Sequence, residues 1–301
     1  RRQQRGVIYR PFRLFRLLRI NHPKPHPHMK KIALFISAAL AVSSCVQPEP
    51  ETADVPITAH TAPQTRTSMG EGVDGMHDVL WTTGDVISVS DGYLEGIYVT
   101  HQGGSSSAIF SPKTKTNINF STGVIAGYPA GNIFLGTPDL NEDIYITIPQ
   151  VQKYTKDSFA EATMPMVSDV AYEPVLNFHN AAGVIRLTLS GDEEVSVSSI
   201  TFTTDQQFSG DFCYNPGEQI YKEDSAASGS ESITIECEEA VNVGKEAVAF
   251  NVVVPHKTYS KLSISVKATD GRVHTINMKE GKQITVQRSG IVNIPLHFGT
   301  F

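Results

Sequence analysis

Cysteine, tryptophan and basic residues are scarce in this sequence, and each shortage narrows what the chain can be. The 301 residues include three cysteines and one tryptophan. Apart from Cys45, only Cys213 and Cys237 remain to form a disulfide, and two cysteines in a chain of this length do not build a disulfide scaffold. The sequence leaves open whether this pair is bonded. Over residues 32–112, Arg66 is the only lysine or arginine.

Motifs of common enzymes and cofactor sites are also missing. The sequence has no G-x-S-x-G and no H-E-x-x-H. The stretch GEGVDG (70–75) matches a dinucleotide-binding pattern by letter, but no strand pattern precedes it and no helix pattern follows it. In DLNED (139–143), Asp139, Asn141 and Asp143 have calcium-loop spacing, yet Ile144 replaces the turn glycine and Gln150 stands where the bidentate acid should be. We therefore predict no catalytic residue, no cofactor, no metal site and no enzymatic activity.

The single tryptophan and two histidines are expected to be structural. Trp81 begins the alternating stretch WTTGDVISV (81–89), so we expect it in a core or at a strand edge rather than on a sugar-binding platform. His179 and His274 lie in strand-like stretches beside apolar residues and are expected to be half-buried. They are predicted to be neither metal ligands nor general bases.

Charge is unevenly distributed along the chain. Residues 1–45 hold ten of the 25 lysines and arginines and none of the 31 acidic residues. Residues 46–301 therefore keep 15 basic against 31 acidic side chains, a formal charge of −16. A net negative charge of this size repels other anions, which argues against nucleic acid and anionic lipid surfaces as partners.

An export signal is indicated near the N-terminus. Met29 is followed by two lysines, an apolar run over residues 32–42, and small residues before Cys45. This is the plan of a secretory signal, and the apolar run is too short to span a membrane. The residues VSSC (42–45) are similar to a bacterial lipobox, in which the cysteine is acylated. An ordinary signal peptide with an incidental cysteine is the alternative.

These features divide the N-terminal part of the chain into three segments. The basic residues before Met29 are expected to be an upstream extension rather than a functional arm. The sequence after Cys45 is acidic and rich in proline, as a tether would be. The predicted segments are an extension (1–28), a lipoprotein signal peptide (29–45), and a tether with a removable strand (46–66).

The rest of the chain alternates between apolar and polar residues with the period of a β-strand. Clear examples are VIRLTLSG (184–191), VAFNVVVP (248–255) and IVNIPLHF (291–298). No long amphipathic helix pattern competes with them. The predicted class is all-β, with two antiparallel β-sandwich domains in tandem. The alternation lapses near residues 170–174, which places the predicted domains at 67–172 and 173–301.

Seven stretches, in order after the lipobox, carry a family resemblance. They are TRTSM (65–69), WTTGDVISV (81–89), AGYPA (126–130), ITIPQVQ (146–152), FAEATMPMVSD (159–169), LNFHNAAGVIRLTLSG (176–191) and VVVPHKTYSKLSISV (252–266). Over residues 45–301 the chain resembles the fimbrillin family of Bacteroidetes pilins. The resemblance implies a lipoprotein with two transthyretin-like β-sandwich domains that is assembled into type V pili. It also implies that an arginine-specific protease removes an N-terminal strand, and that a donor strand from another subunit refills the groove.

The resemblance gives a meaning to the isolated arginine. Val55, Ile57 and Ala59 alternate as a strand that could cover an otherwise open sheet edge. Arg66 follows among small polar residues that suit an exposed loop, so the predicted cleavage lies between Arg66 and Thr67. An ordinary loop arginine in a permanently anchored protein is the alternative.

A donor strand and a set of partners follow from the same resemblance. The predicted partners are other pilus subunits, a maturation protease and, before maturation, a lipid anchor in the outer membrane; the expected location is the cell surface. Strand addition supplies main-chain hydrogen bonds and pockets for alternate side chains. The proposed donor residues are Val292, Ile294, Leu296 and Phe298.

Two further hypotheses concern a surface loop near Ser225 and an alternative function. The triplet DSA at Asp224–Ala226 resembles the Asp-Ser/Thr-apolar acceptor of exported Bacteroidetes proteins, which makes Ser225 a possible O-glycan site in a surface loop. The alternative function is a permanently anchored surface lipoprotein that binds glycans. The sequence does not distinguish a stalk, tip or anchor subunit.

Overall fold

The chain is built from β-strands throughout the part that the structure describes. The structure is a computed structural model, and it describes residues 55–61, 80–222 and 228–299. These ranges contain 22 strands, one short 3₁₀ helix and no α-helix. No helix within them is long and apolar enough to cross a membrane. The predicted all-β class is confirmed.

The strands are short in the first half and longer in the second. The first ten are β1 (Ile57–Thr61), β2 (Val86–Ser90), β3 (Glu95–Thr100), β4 (Ser107–Pro112), β5 (Ile125–Tyr128), β6 (Ile133–Phe134), β7 (Ile144–Ile148), β8 (Val151–Lys153), β9 (Met166–Ser168) and β10 (Val175–Asn180), with the 3₁₀ helix η1 (Phe120–Thr122) before β5. The others are β11 (Ala182–Gly191), β12 (Val195–Thr203), β13 (Ser209–Asn215), β14 (Ile220–Lys222), β15 (Gly229–Ser230), β16 (Ser232–Val243), β17 (Val248–Pro255), β18 (Thr258–Tyr259), β19 (Ser263–Ala268), β20 (Val273–Asn277), β21 (Ile284–Thr285) and β22 (Ile291–Phe298).

Seven strands form a closed sheet in the order β1-β10-β9-β5-β2-β3-β4, and β4 pairs with β1 to complete it. Strand β1 is antiparallel to β4 and parallel to β10. Alternate residues point inward, as the sequence pattern predicts. The interior is filled by large side chains that include Trp81, Tyr98, Phe110, Tyr128 and Phe178.

The other strands build a second region with its own core. Its sheets have the orders β17-β11-β22, β20-β19-β12-β16-β8, β14-β13-β7-β6 with β15 beside β13, and β18-β21. Aliphatic and aromatic side chains from β11, β12, β16, β17 and β19 form one buried cluster. A smaller cluster joins this region to the closed sheet: Ile125 on β5 and Val167 on β9 pack with Ile133, Ile146 and Tyr214 on β6, β7 and β13.

The topology differs from the prediction in three respects. The sheets are not wholly antiparallel, because β1 with β10, β8 with β16 and β11 with β22 are parallel pairs. The first region closes on itself instead of forming an open sandwich, because β1 bridges β4 and β10. Sheets also cross the predicted domain junction: β7 pairs with β13, and β10 belongs to the closed sheet. The domain limits at residues 172 and 173 stay a prediction.

The two cysteines of this part of the chain are not joined by a disulfide. Cys213 is buried on β13, and Cys237 is partly buried on β16. Burial raises the pKa of the Cys237 thiol to about 11. The disulfide that the sequence left open is therefore not formed in the structure.

A buried side-chain amide joins two sheets of the second region. Gln152 on β8 is fully buried; its Nε2 donates to the Val253 carbonyl at 2.8 Å, and its Oε1 accepts from the Val253 N–H at 2.9 Å. The amide takes the place that a neighbouring strand would have on the outer edge of β17. Both backbone groups of Val253 are thereby satisfied.

Replacing Gln152 with leucine should destabilise the protein strongly. The change leaves the Val253 N–H and carbonyl buried without these partners, and each unsatisfied group costs about 1–3 kcal/mol. Denaturant unfolding measures the loss. Gln150→Leu is the matched control, because the Gln150 amide bonds Ser230 at the exposed surface and its loss should change stability by less than about 0.5 kcal/mol. Equal stability of the two variants would refute the edge-capping role.

Candidate functional site: the groove of the first strand

Strand β1 lies in a groove between β4 and β10, which we call the first-strand groove. Ile57 and Ala59 are fully buried in it, whereas Val55 is 49% exposed. The Thr58 N–H donates to the Pro174 carbonyl on one side, and the Thr61 N–H donates to the Ser106 carbonyl on the other, both at 2.9 Å. Strand β1 is thus held by backbone hydrogen bonds along both edges and by an apolar face beneath.

The indole of Trp81 lies beneath the middle of the first-strand groove. The indole is fully buried and its Nε1 donates to the Ala59 carbonyl at 3.2 Å. Edge-to-face contacts surround it, with ring centroids at 5.0 Å from Phe110, 5.5 Å from Tyr128 and 5.4 Å from Phe178. The predicted core position of Trp81 is confirmed. It precedes β2 and forms an isolated bridge with Ser105 instead of starting the strand.

A buried carboxylate supports the aromatic cluster. The Tyr128 hydroxyl donates to Asp85 Oδ1 at 2.8 Å, and the Thr82 N–H donates to Asp85 Oδ2 at 2.7 Å. Burial raises the pKa of Asp85 above its ordinary value, although these two hydrogen bonds oppose the shift. The pairing of Asp85 with Tyr128 is not visible in the sequence, since neither residue stands out by spacing. The local signal is an aspartate three residues after a threonine at a turn.

Asp85 should make stability fall as pH rises. The pKa of Asp85 in the folded state lies above the unfolded value of 3.8, so the folded protein keeps the proton to a higher pH. The free energy of unfolding therefore falls as the pH rises from the unfolded pKa through the folded pKa. Asp85→Asn removes this titration. Between about pH 3.5 and 7, the free energy of unfolding of the variant should therefore rise relative to that of the wild type as the pH increases, as measured by denaturant unfolding at several pH values.

Asp91→Asn is the control of opposite sign. Burial alone would raise the pKa of Asp91, but backbone N–H groups of Asn119, Leu94 and Tyr93 donate to its carboxylate and the net pKa is lowered. This variant should lose stability relative to the wild type as pH rises. Parallel pH profiles for both variants would contradict the assignment.

The predicted donor strand, β22, is built into its own chain. Val292, Ile294 and Leu296 pack against the second core, and Phe298 is buried. The strand pairs in parallel with β11 over its whole length. Phe298 packs directly over Gly191, where an added Cβ would lie 2.1 Å from the ring. The donor role of these residues stays a prediction.

Several predicted sites lie outside the described residues: Cys45, Arg66, Thr67 and Ser225. The rejected GEGVDG match (70–75) lies outside them too. Of the residues that are described, His179 on β10 pairs with Asp169 Oδ2 at 3.1 Å. In the DLNED loop, Asp143 accepts hydrogen bonds from Asn215 and Lys222. No group of three or more His, Cys, Asp or Glu in the described ranges is arranged to hold a metal ion.

Exposed aromatic side chains on the outer surface were also missed. Phe134 on β6 and Tyr145 on β7 face each other in the register of the sheet and are 60% and 41% exposed. Tyr93, in the turn between β2 and β3, is 91% exposed. Strand alternation alone could have placed Phe134 opposite the buried Ile133, but two-residue strands give too little pattern to detect.

Comparison with known proteins adds a set of distant structural likenesses. No protein-family model matches the sequence, and no curated protein matches it. A candidate cell adhesion protein of Bacteroides ovatus is 13% identical with a TM-score of 0.48, covering 81% of this chain and 92% of that one. A candidate cell adhesion protein of Bacteroides uniformis is 12% identical, with a TM-score of 0.41 and coverage of 81% and 94%. A fimbrial protein of Bacteroides vulgatus is 10% identical, with a TM-score of 0.34 and coverage of 80% and 95%. These values are too low to establish a family.

Proposed function

We propose that this protein is a structural and adhesive subunit of a surface pilus, exported as a lipoprotein and without enzymatic activity. The observation that carries the proposal is the position of β1. This short N-terminal strand completes a closed sheet between two strands that are distant from it in sequence, and it buries Ile57 and Ala59 in the core. A strand placed in this way is able to act as a removable plug.

Cleavage after Arg66 is the proposed trigger for assembly. It would separate β1, together with the proposed anchor at Cys45, from the rest of the chain. Loss of β1 exposes the facing edges of β4 and β10 and the apolar floor around Trp81, and an open edge of this kind invites pairing with another strand. A strand of another subunit then fills the groove, in a head-to-tail contact that builds open filaments.

The finer architecture and location belong to the same proposal. We infer a tandem arrangement of two transthyretin-like domains, and a precursor held in the outer membrane by acyl chains on Cys45. Acyl chains supply membrane affinity in proportion to their buried methylene groups. Labelling cells with a palmitate analogue should mark the wild type and leave Cys45→Ser unmarked; equal labelling of both would remove the lipoprotein from the proposal.

Limited proteolysis tests the proposed function directly. Protein from residue 46 onward, treated briefly with trypsin, should acquire Thr67 as a new N-terminus. Mixed with the other surface proteins of the cell, it should then form ladders on a gel run without boiling, while the untreated protein stays monomeric. A cleaved product that remains monomeric at high concentration, alone and with the other surface proteins of the cell, would overturn the pilus assignment.

A glycan-binding surface lipoprotein is the second candidate, and one observation favours it. Phe134 and Tyr145 form an exposed cross-strand aromatic pair, and rings presented in this way suit the apolar faces of sugars. The measurement that separates the candidates is glycan binding by the uncleaved protein and by Phe134→Ala. Binding that depends on Phe134, together with an intact N-terminus at the cell surface, favours this candidate.

A further inference from the structure

The first-strand groove has a narrow position at Ala59. This residue is fully buried, its register partners are Ala108 on β4 and Leu176 on β10, and the Trp81 Nε1 lies 3.2 Å from its carbonyl oxygen. The two alanines lie side by side and belong to the same buried cluster as the indole. A larger side chain at position 59 would meet a ring that is already enclosed by three others, and such overpacking is unfavourable.

The groove also requires particular N–H groups. The Thr58 N–H donates to Pro174 on the β10 side, whereas the Thr61 N–H donates to Ser106 on the β4 side. Because N–H directions alternate along a strand, the N–H groups of residues 58 and 60 both point toward β10. Proline at either position would remove a hydrogen bond of this ladder. Proline is accommodated only before this segment, as at Pro56.

We infer that the first-strand groove selects its occupant by a pattern: a bulky residue at position 57, a small residue at position 59, and N–H groups at positions 58 and 60. This inference rests on the proposed removal of β1 and identifies the chemistry of the strand that replaces it. Trp81 is the specificity-determining residue, because it limits the volume at position 59 and donates a hydrogen bond to the backbone carbonyl there.

Strand β22 of a second copy does not satisfy this pattern. With Leu296 at position 59, Pro295 falls at position 58; with Ile294 there, Pro295 falls at position 60. Phe298 at position 59 would place a benzyl group against Trp81. Val292 at position 59 would leave Gly290 at the place of Ile57. Each register that keeps the apolar face inward therefore fails, and the occupant is a different strand with alanine, glycine or serine at the central position.

Peptide competition on the cleaved protein tests the inference. Protein from residue 46 onward is cut after Arg66, and a fluorescent peptide of residues 53–63 is exchanged into the groove. Unlabelled competitors are the native peptide and its Ala59→Gly, Ala59→Leu, Thr58→Leu and Thr58→Pro forms, together with a peptide of residues 290–299. Thr58→Leu is the matched control for Ala59→Leu, because Thr58 points outward and keeps its N–H.

The expected order separates volume from hydrophobicity. The native, Ala59→Gly and Thr58→Leu peptides should compete within a few-fold of one another, whereas the Ala59→Leu, Thr58→Pro and 290–299 peptides should be at least tenfold weaker. With Trp81→Phe protein, which has a smaller ring and no indole N–H, the penalty for Ala59→Leu should shrink. If the Ala59→Leu peptide or the 290–299 peptide competes as well as the native peptide, the selection rule is wrong, but the proposed removal of β1 is unaffected. If even the native peptide fails to exchange into the cleaved protein, the proposed function falls, and the inference with it.

Discussion

Cells that carry Arg66→Ala should display no filaments built from this subunit, although they export it in normal amount. The variant keeps β1 covalently attached, so the groove stays occupied by Ile57 and Ala59 and no neighbouring strand can enter. The expected effect is a complete loss of the high-molecular-weight ladder and its replacement by monomer. Electron microscopy and unboiled gels of surface extracts measure it.

Arg66→Lys is the matched control, because it keeps the positive charge and the length of the side chain. Trypsin should still cut this variant in solution, whereas an arginine-specific protease in the cell should leave it intact. Purified Arg66→Lys protein should therefore assemble with the other surface proteins of the cell after trypsin treatment, while the same variant in cells should not. Filaments on Arg66→Ala cells would show that release of β1 is not required, and the protein would then be an anchored component.

Trp81→Ala should be the most destabilising single substitution in the closed sheet. It removes the ring that three other aromatic residues surround, and it deletes the hydrogen bond to the Ala59 carbonyl. Truncation of a buried tryptophan costs about 3–5 kcal/mol. Because the contact with β1 is lost as well, β1 should also leave the groove more readily after cleavage.

Denaturant unfolding and the rate of β1 release after cleavage give two independent measurements. Tyr172→Ala is the control, since Tyr172 is 66% exposed and its truncation should change stability by less than about 0.5 kcal/mol. A Trp81→Ala protein as stable as Tyr172→Ala would mean that the aromatic cluster does not hold the closed sheet together.

Local pattern in the sequence predicted those features that depend on neighbouring residues. The alternation of Val55, Ile57 and Ala59 predicted a strand with one buried face, and β1 has that form for Ile57 and Ala59. The strand-like setting of Trp81 predicted a core position. For β1 the burial of side chains follows from a period of two residues, which is visible in the sequence itself. Trp81 is buried outside a regular strand, so the period does not explain its position.

Features that join distant parts of the chain could not be predicted in this way. The parallel pairing of β1 with β10 connects residues more than a hundred positions apart, and no local pattern specifies a partner at that distance. The closure of the first sheet was missed for this reason. The contacts of Gln152 with Val253 and of Asp85 with Tyr128 could not be predicted from the sequence, because polar side chains become fixed only when the sheets are packed.

The N-terminal residue of the subunit in surface filaments tests the central claim most directly. Edman sequencing or mass spectrometry of the assembled, cell-surface form should find Thr67 at the N-terminus, with residues 55–61 absent from the filament. An acylated N-terminus at Cys45 in the same filaments, with residues 55–61 still attached, would contradict the account.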